Sequence, residues 1–201
     1  VKQTKVQLIA ALFAALALAV AAPAFAGPGT DVVKSKQTVL FTLLKQNTPD
    51  AQKKIDAVFD EMLDYSALIQ SSMGDEWAKR TDAEKADFTD VYKKLVRNAY
   101  QKNLKKILDF DVDYAGEDAG DGGAVVVKTK SKPKDPRDEP VEINFKMAPN
   151  QGGKLKVQDI VTEGQSLTAS YRSQFNKIIK KDGFPALLQK MKDKLAKGDT
   201  N

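Results

Sequence analysis

Between Asp31 and Leu108 the apolar residues recur at steps of three and four, the spacing of one face of a helix. In "DVVKSKQTVLFTLLKQ" that side holds Val32, Val33, Val39, Leu40, Leu43 and Leu44. Thr48-Pro49-Asp50 breaks the pattern, and proline suits the first position of a new helix, here one carrying Ile55, Val58, Phe59, Met62 and Leu63. A short element from Tyr65 to Met73 closes on Gly74. Thr81 or Asp82 caps the longest predicted helix, and Glu84 completes a capping box if Thr81 is the cap. Its apolar stripe reads Phe88, Val91, Tyr92, Leu95, Val96, Ala99, Tyr100, Leu104 and Ile107.

After Leu108 the period drops to two. "FDVDYAG" alternates Phe110, Val112 and Tyr114 with Asp111, Asp113 and Ala115. "GGAVVVKTK", "VEINFKMA" and "KLKVQDIV" predict three further strands, parted by the turn-forming "GEDAGDGG", the charged and proline-rich "SKPKDPRDEP" and "NQGG". Four strands in succession predict an antiparallel meander, one face on helices and the other wet. Helical spacing then returns with Leu167, Tyr171, Phe175, Ile178 and Ile179, and again with Leu187, Leu188, Met191 and Leu195; Asp182-Gly183 separates the two runs. The expected fold is α+β, a single domain over residues 27–201: residues 27–108 mainly helical, 109–162 a four-stranded antiparallel sheet, 166–197 helical.

The N-terminal stretch has a different character. Lys2 and Lys5 precede "VQLIAALFAALALAVAAP", and Ala24-Phe25-Ala26 supplies the small-x-small pattern of a cleavage site. Residues 1–26 read as a signal peptide, so the expected mature protein begins at Gly27 and is exported to the periplasm. Loss of the leader removes two lysines and no acid from a chain of formal net charge +5. The remaining surplus is too small for a nucleic-acid footprint, although it can favour transient contact with an anionic membrane surface.

Composition narrows the chemistry further. The chain has no cysteine and no histidine, which excludes a Ser-His-Asp triad and zinc sites of the Cys/His kind. Gly164-Gln165-Ser166 therefore does not present a nucleophile: the base is missing, and Thr168 stands where a nucleophile elbow needs glycine. Ser166 reads as a helix cap, with Gly164 permitting a sharp bend from strand to helix. Asp111 and Asp113 share a strand face where acids are usually solubilising, and Asp159 suits a fixed hydrogen-bonding role at the end of a strand. No catalytic residue and no metal ligand is predicted.

Two blocks carry a family likeness. "VQDIVTEGQSLTASYRSQFNKIIKKDGFPALLQKMKDKL" holds an Asp in the last strand, then Glu-Gly-x-Ser and a later Gly-x-x-x-Leu: Asp159, Glu163, Gly164, Ser166, Leu167, Gly183 and Leu187. "MGDEWAKRTDAEKADFTDVYKKLVRNAY" adds Gly74, Trp77, Thr81, Phe88, Leu95 and Tyr100 in order. Together they resemble the MlaC-like, or toluene-tolerance, family of periplasmic phospholipid carriers, over nearly all of the mature chain. Leu155 and Gln158 stand where that family often has Trp and Tyr.

The resemblance implies a phospholipid held as cargo, with no cofactor, its acyl tails in an apolar cavity between sheet and helices. It also implies partners: an outer-membrane lipid-handling complex and an inner-membrane ABC transporter complex, in a system that maintains outer-membrane asymmetry and solvent tolerance. Under it the expected lipid-contacting residues are Tyr92, Val96, Tyr100, Val125, Val127, Ile143, Phe145, Met147, Leu155, Val157, Leu167, Tyr171 and Phe175. Tyr100 and Tyr171, whose hydroxyls need partners if buried, are expected at the cavity mouth. Lysines crowd the end of the long helix and the C-terminal helices, where they complement helix dipoles or steer docking. The rival classes are an adaptor that binds protein without lipid and a carboxylate-dependent enzyme.

Overall fold

The structure, a computed structural model, describes residues 27–198 except 47, 107, 109, 136 and 138. The expected leader, its cleavage point and Ile107 lie outside the described residues. Several helices begin where a side chain satisfies one of their first amides. Thr48 accepts from Ala51 N at 3.2 Å to start α2 (Pro49–Met62), after α1 (Pro28–Gln46). Asp64 does the same for Ala67 N at the start of α3 (Tyr65–Met73). At α4 (Asp82–Lys106) the expected capping box is complete: Glu84 N donates to Thr81 Oγ1 at 3.3 Å and Thr81 N to Glu84 Oε2 at 2.8 Å. That amide, together with the Thr81 hydroxyl, holds the Glu84 carboxyl below its ordinary range.

The strands β1 (Asp111–Ala119), β2 (Val125–Lys132), β3 (Val141–Pro149) and β4 (Leu155–Thr162) form the expected antiparallel meander. The sheet has a fifth strand, which corrects the expectation of four: β5 (Gln165–Ser166) pairs back onto β4 through Val161–Ser166 and Thr162–Gln165. The reason lies in two backbone angles. Glu163 has φ +49° and Gly164 φ +75°, the pair of positive values that makes a two-residue hairpin turn. The chain therefore reverses for one more pair of residues before Ser166 caps α5 (Leu167–Asp182), accepting from Ala169 N at 3.1 Å. Glycine relaxes only half of that turn; at Glu163 the left-handed conformation costs about 1–2 kcal/mol. The chain ends in α6 (Phe184–Ala196).

One sheet face carries the core. Val127, Phe145, Met147 and Val157 are buried there, in register Val127–Phe145 and Met147–Val157, in one core with Leu40, Phe59 and Met62 of the helices and with Leu63, which bridges to Val157 between α2 and α3. The N-terminus of α1 is clamped onto the sheet: Thr30 N and Oγ1 donate to Glu117 Oε2 at 2.7 and 3.2 Å. A Cβ at Gly29 would lie 2.6 Å from Val125 Cγ2, so only glycine lets α1 come this close. The opposite sheet face is wet and laced with ion pairs, Lys128–Asp118 at 2.6 Å and Lys132–Asp113 among them. Asp111 and Asp113 lie exposed on that face. Helices α1, α2, α3 and α5 approach the strands closely; α4 does so less.

Candidate functional site

Along α4 two environments follow each other. In the first half, Phe88 stacks on Tyr92 with ring centroids 5.7 Å apart and meets Phe175 and Phe184 at 5.8 and 5.9 Å. Tyr171 stacks on Phe175 at 5.2 Å and meets Tyr92 edge-on at 5.7 Å. The Tyr92 hydroxyl is paired with Ser72 Oγ at 2.9 Å, and burial pushes its pKa up. A cleft of about 90 Å³ opens beside Tyr171 and Phe175. Tyr92, Tyr171 and Phe175 thus sit together in a packed layer of helices; Tyr171, expected at the cavity mouth, is not among the residues that line the two cavities along the second half of α4.

In the second half of α4 the packing opens. A cavity of about 410 Å³ lies between α4, β4 and the start of α5, with Val96, Ala99, Tyr100, Ile160 and Leu167 as its apolar wall and Asn103, Thr162, Glu163, Gln165 and Ser170 as its polar one. A second, of about 520 Å³, lies against β3, lined by Phe110, Val141 and Ile143 with Asn103, Lys106, Glu139 and Thr162. Asn103 and Thr162 belong to both walls, so the cavities adjoin. Each has the volume of an ordinary small-ligand site, about 300–1,000 Å³. Tyr100 forms a back wall. Its ring meets Phe59 at 5.2 Å and Phe145 at 6.3 Å, both edge-on, and its hydroxyl is 3.5 Å from Gln37 Nε2. The other end of that buried amide, Gln37 Oε1, accepts from Tyr114 Oη at 2.7 Å. Burial pushes the Tyr100 phenol up, and Tyr114 up to about 12.

The wall from α5 is pinned by a buried carboxylate. Asp159, 7 % exposed, accepts from Ile160 N at 3.0 Å and Thr168 N at 3.1 Å through Oδ1, and from Ser166 Oγ at 2.7 Å through Oδ2. Lys146 Nζ approaches to 3.5 Å. The irregularity between Lys146 and Met147 in the β3–β4 register turns Asp159 to the Lys146 side while Val157 and Ile160 both face inward. With every oxygen engaged by the fold, Asp159 acts as the bracket that holds Leu167 and Ser170 over the cavity.

The structure therefore sorts the sequence-predicted residues. Val96, Tyr100 and Leu167 meet in the first cavity and Ile143 in the second, with Phe145 directly behind Tyr100. Val125 packs beneath α1, while Val127, Met147 and Val157 are core. Leu155 lines a separate groove of about 800 Å³ with Lys36, Asp60, Glu61, Lys154 and Lys156, a charged setting unlike the two cavities. Sequence reasoning passed over Asn103, Thr162, Phe110 and Val141. Asn103 had a visible signal, since it stands three residues after Tyr100 on the same helical stripe and interrupts it with an amide.

Several cations of the basic stretches are paired within the chain. Arg97 is bonded to Asp60 and Tyr65 and lies 3.7 Å from Asp56; Lys94 pairs with Asp90 and Lys190 with Asp182, both at 2.7 Å. Among the described residues no group of three or more His, Cys, Asp or Glu side chains is placed to hold a metal ion, and no helix is long and apolar enough to cross a membrane.

Fold and cavities together define a class: an α+β container in which helices roof one face of an antiparallel meander and leave space between the layers. Within that class the chain belongs to the MlaC protein family, whose sequence model matches residues 32–193. Among solved structures it is similar to the phospholipid-binding protein from Ralstonia solanacearum in complex with a phospholipid, with TM-score 0.70 and 24 % identity, covering 86 % of this chain and 99 % of that one. No curated protein sequence matches this chain.

Proposed function

We propose that this protein binds phospholipid, with the acyl tails in the two adjoining cavities, and carries it through the periplasm between an outer-membrane lipid-handling complex and an inner-membrane ABC transporter complex. The observation that carries the reading is the pair of cavities between α4 and the sheet, apolar toward the core and polar at their junction. That is the distribution a tail-and-headgroup ligand needs. Family membership and the lipid-bound relative of the same fold support it, and the N-terminal leader pattern supports export.

The energetics suit a carrier. Burying a methylene is worth about 0.8 kcal/mol, so a dozen on each of two tails amount to on the order of 20 kcal/mol. A carrier need only match what the bilayer already provides, and an apolar wall does so without a reacting group. The cargo is released by exchange rather than by chemistry.

The test is extraction of the purified, folded protein with organic solvent and mass spectrometry of the extract. Phospholipid in near-equimolar amount is expected. Folded protein that is consistently empty, and that takes up no lipid from vesicles, would overturn the carrier reading and leave the adaptor.

A further inference from the structure

The junction of the two cavities is where a two-tailed ligand must place its middle. Asn103 and Thr162 are shared by both walls. A lipid with one tail in each cavity therefore sets its glycerol and phosphate over that pair, whose amide and hydroxyl can donate to ester and phosphate oxygens. Among the described residues of the two walls one is cationic, Lys106, and two are anionic, Glu139 and Glu163.

We propose that this junction selects phospholipids whose headgroup carries an amine, a zwitterion such as phosphatidylethanolamine over a net anion such as phosphatidylglycerol. The inference rests on the carrier reading. Lys106 answers the phosphate charge. A lipid with no other charge brings its negative charge to walls that carry two carboxylates and one ammonium, whereas a headgroup ammonium gives those carboxylates a cation partner. Glu163 is built for the role. It sits at the tip of the β4–β5 hairpin with φ +49°, and its carboxylate accepts from Glu142 N of β3. The charge is thus held at the rim, and less side-chain freedom is lost when an ammonium arrives.

The test loads delipidated protein from vesicles containing equal parts phosphatidylethanolamine and phosphatidylglycerol with identical acyl chains, then quantifies both lipids in the recovered protein. Because the charges are exposed, an enrichment of phosphatidylethanolamine on the order of threefold is expected, weakening as salt is raised. A folded Glu139→Gln/Glu163→Gln variant should lose the preference. Lys106→Gln, which removes the group that favours an anion, should strengthen it, a sign that a merely structural lysine would not give. Uptake of the two lipids by the unaltered protein in the vesicle ratio overturns this inference alone. Uptake of neither overturns the carrier reading and this inference with it.

Discussion

The two halves of α4 are one helix with one apolar stripe, yet one half is solid and the other stands over open space. Around Phe88 and Tyr92 the stripe meets rings from α5 and α6 and the gap is filled. Around Val96, Ala99 and Asn103 the stripe carries smaller side chains, Tyr100 apart, and the facing residues, Ile160 and Leu167, are aliphatic. The helix runs on unchanged, but its surroundings do not: α5 and α6 cover the first half, β4 and the start of α5 the second. What differs is which neighbours face the helix and the side-chain volume they offer, and beside a densely packed interior such a deficit stands out as a cavity. In this chain the opening follows from which elements face each half of one helix and from the size of the side chains they bring.

The largest effect should come from emptying the solid half. Phe88 is fully buried and touches four other rings, those of Trp77, Tyr92, Phe175 and Phe184. Phe88→Ala should destabilise the protein by about 3–5 kcal/mol in urea denaturation. A loss below about 1 kcal/mol would mean that this half is not the packed one, and the contrast along α4 would fail.

Next comes the bracket between the halves. Replacing Asp159 by alanine leaves two amides and the Ser166 hydroxyl without their acceptor beneath α5. Each buried unpaired group costs about 1–3 kcal/mol, partly relieved where water can enter, so a total of about 2–4 kcal/mol is expected by the same measurement. Asp159→Asn should recover part of it, because the amide oxygen can still accept. A full loss in the asparagine variant would show that the negative charge beside Lys146, rather than acceptor geometry, carries the effect.

Much of this comparison could be read before folding, and the rest could not, for identifiable reasons. The helix start at Ser166, and the one at Thr81 or Asp82, were legible because a cap is local chemistry within four residues, and the start at Pro49 because proline suits a first helical position. The inward row of β3 was legible because alternation assigns Ile143, Phe145 and Met147 to one face whatever lies above them. The fifth strand was hidden because a glutamate gives no warning that it will adopt a positive φ at position 163. The division of the stripe was hidden for a tertiary reason. Tyr92 and Tyr100 stand about two helical turns apart on the same face, and the placement of α5 and α6 decides that Tyr92 is enclosed by rings while Tyr100, packed on Phe59 and Phe145, also borders a cavity.

A smaller effect separates the open half by pH. Tyr114 donates to Gln37, which in turn reaches Tyr100 at the back of the cavity, and burial pushes the Tyr114 phenol up to about 12. An unfolded tyrosine ionises near pH 10. Stability from this phenol is therefore fully present below pH 10 and is lost as pH rises towards 12, because the unfolded chain releases its proton first. Tyr114→Phe should cost about 1 kcal/mol at neutral pH through the lost hydrogen bond and should make the alkaline decline shallower. An unchanged alkaline limb would place the relevant titration elsewhere, and Tyr100→Phe would then be the variant to measure.

The smallest change in stability should accompany the clearest change in cargo. Ala99 is half-buried on the cavity wall, two turns beyond Tyr92's packed neighbourhood. In a close-packed core, enlarging a side chain by an aromatic ring forces strain of about 1–3 kcal/mol. Here the added ring enters space that is already open, so Ala99→Phe should shift stability by less than about 1 kcal/mol in either direction. Bound lipid measured by solvent extraction should nevertheless fall well below that of the unaltered protein, because the ring takes the place of an acyl segment. If Ala99→Phe instead unfolds the protein as severely as Phe88→Ala, the two halves of α4 are packed alike. If it keeps both its fold and its full lipid load, the tails lie somewhere other than beneath the second half of α4.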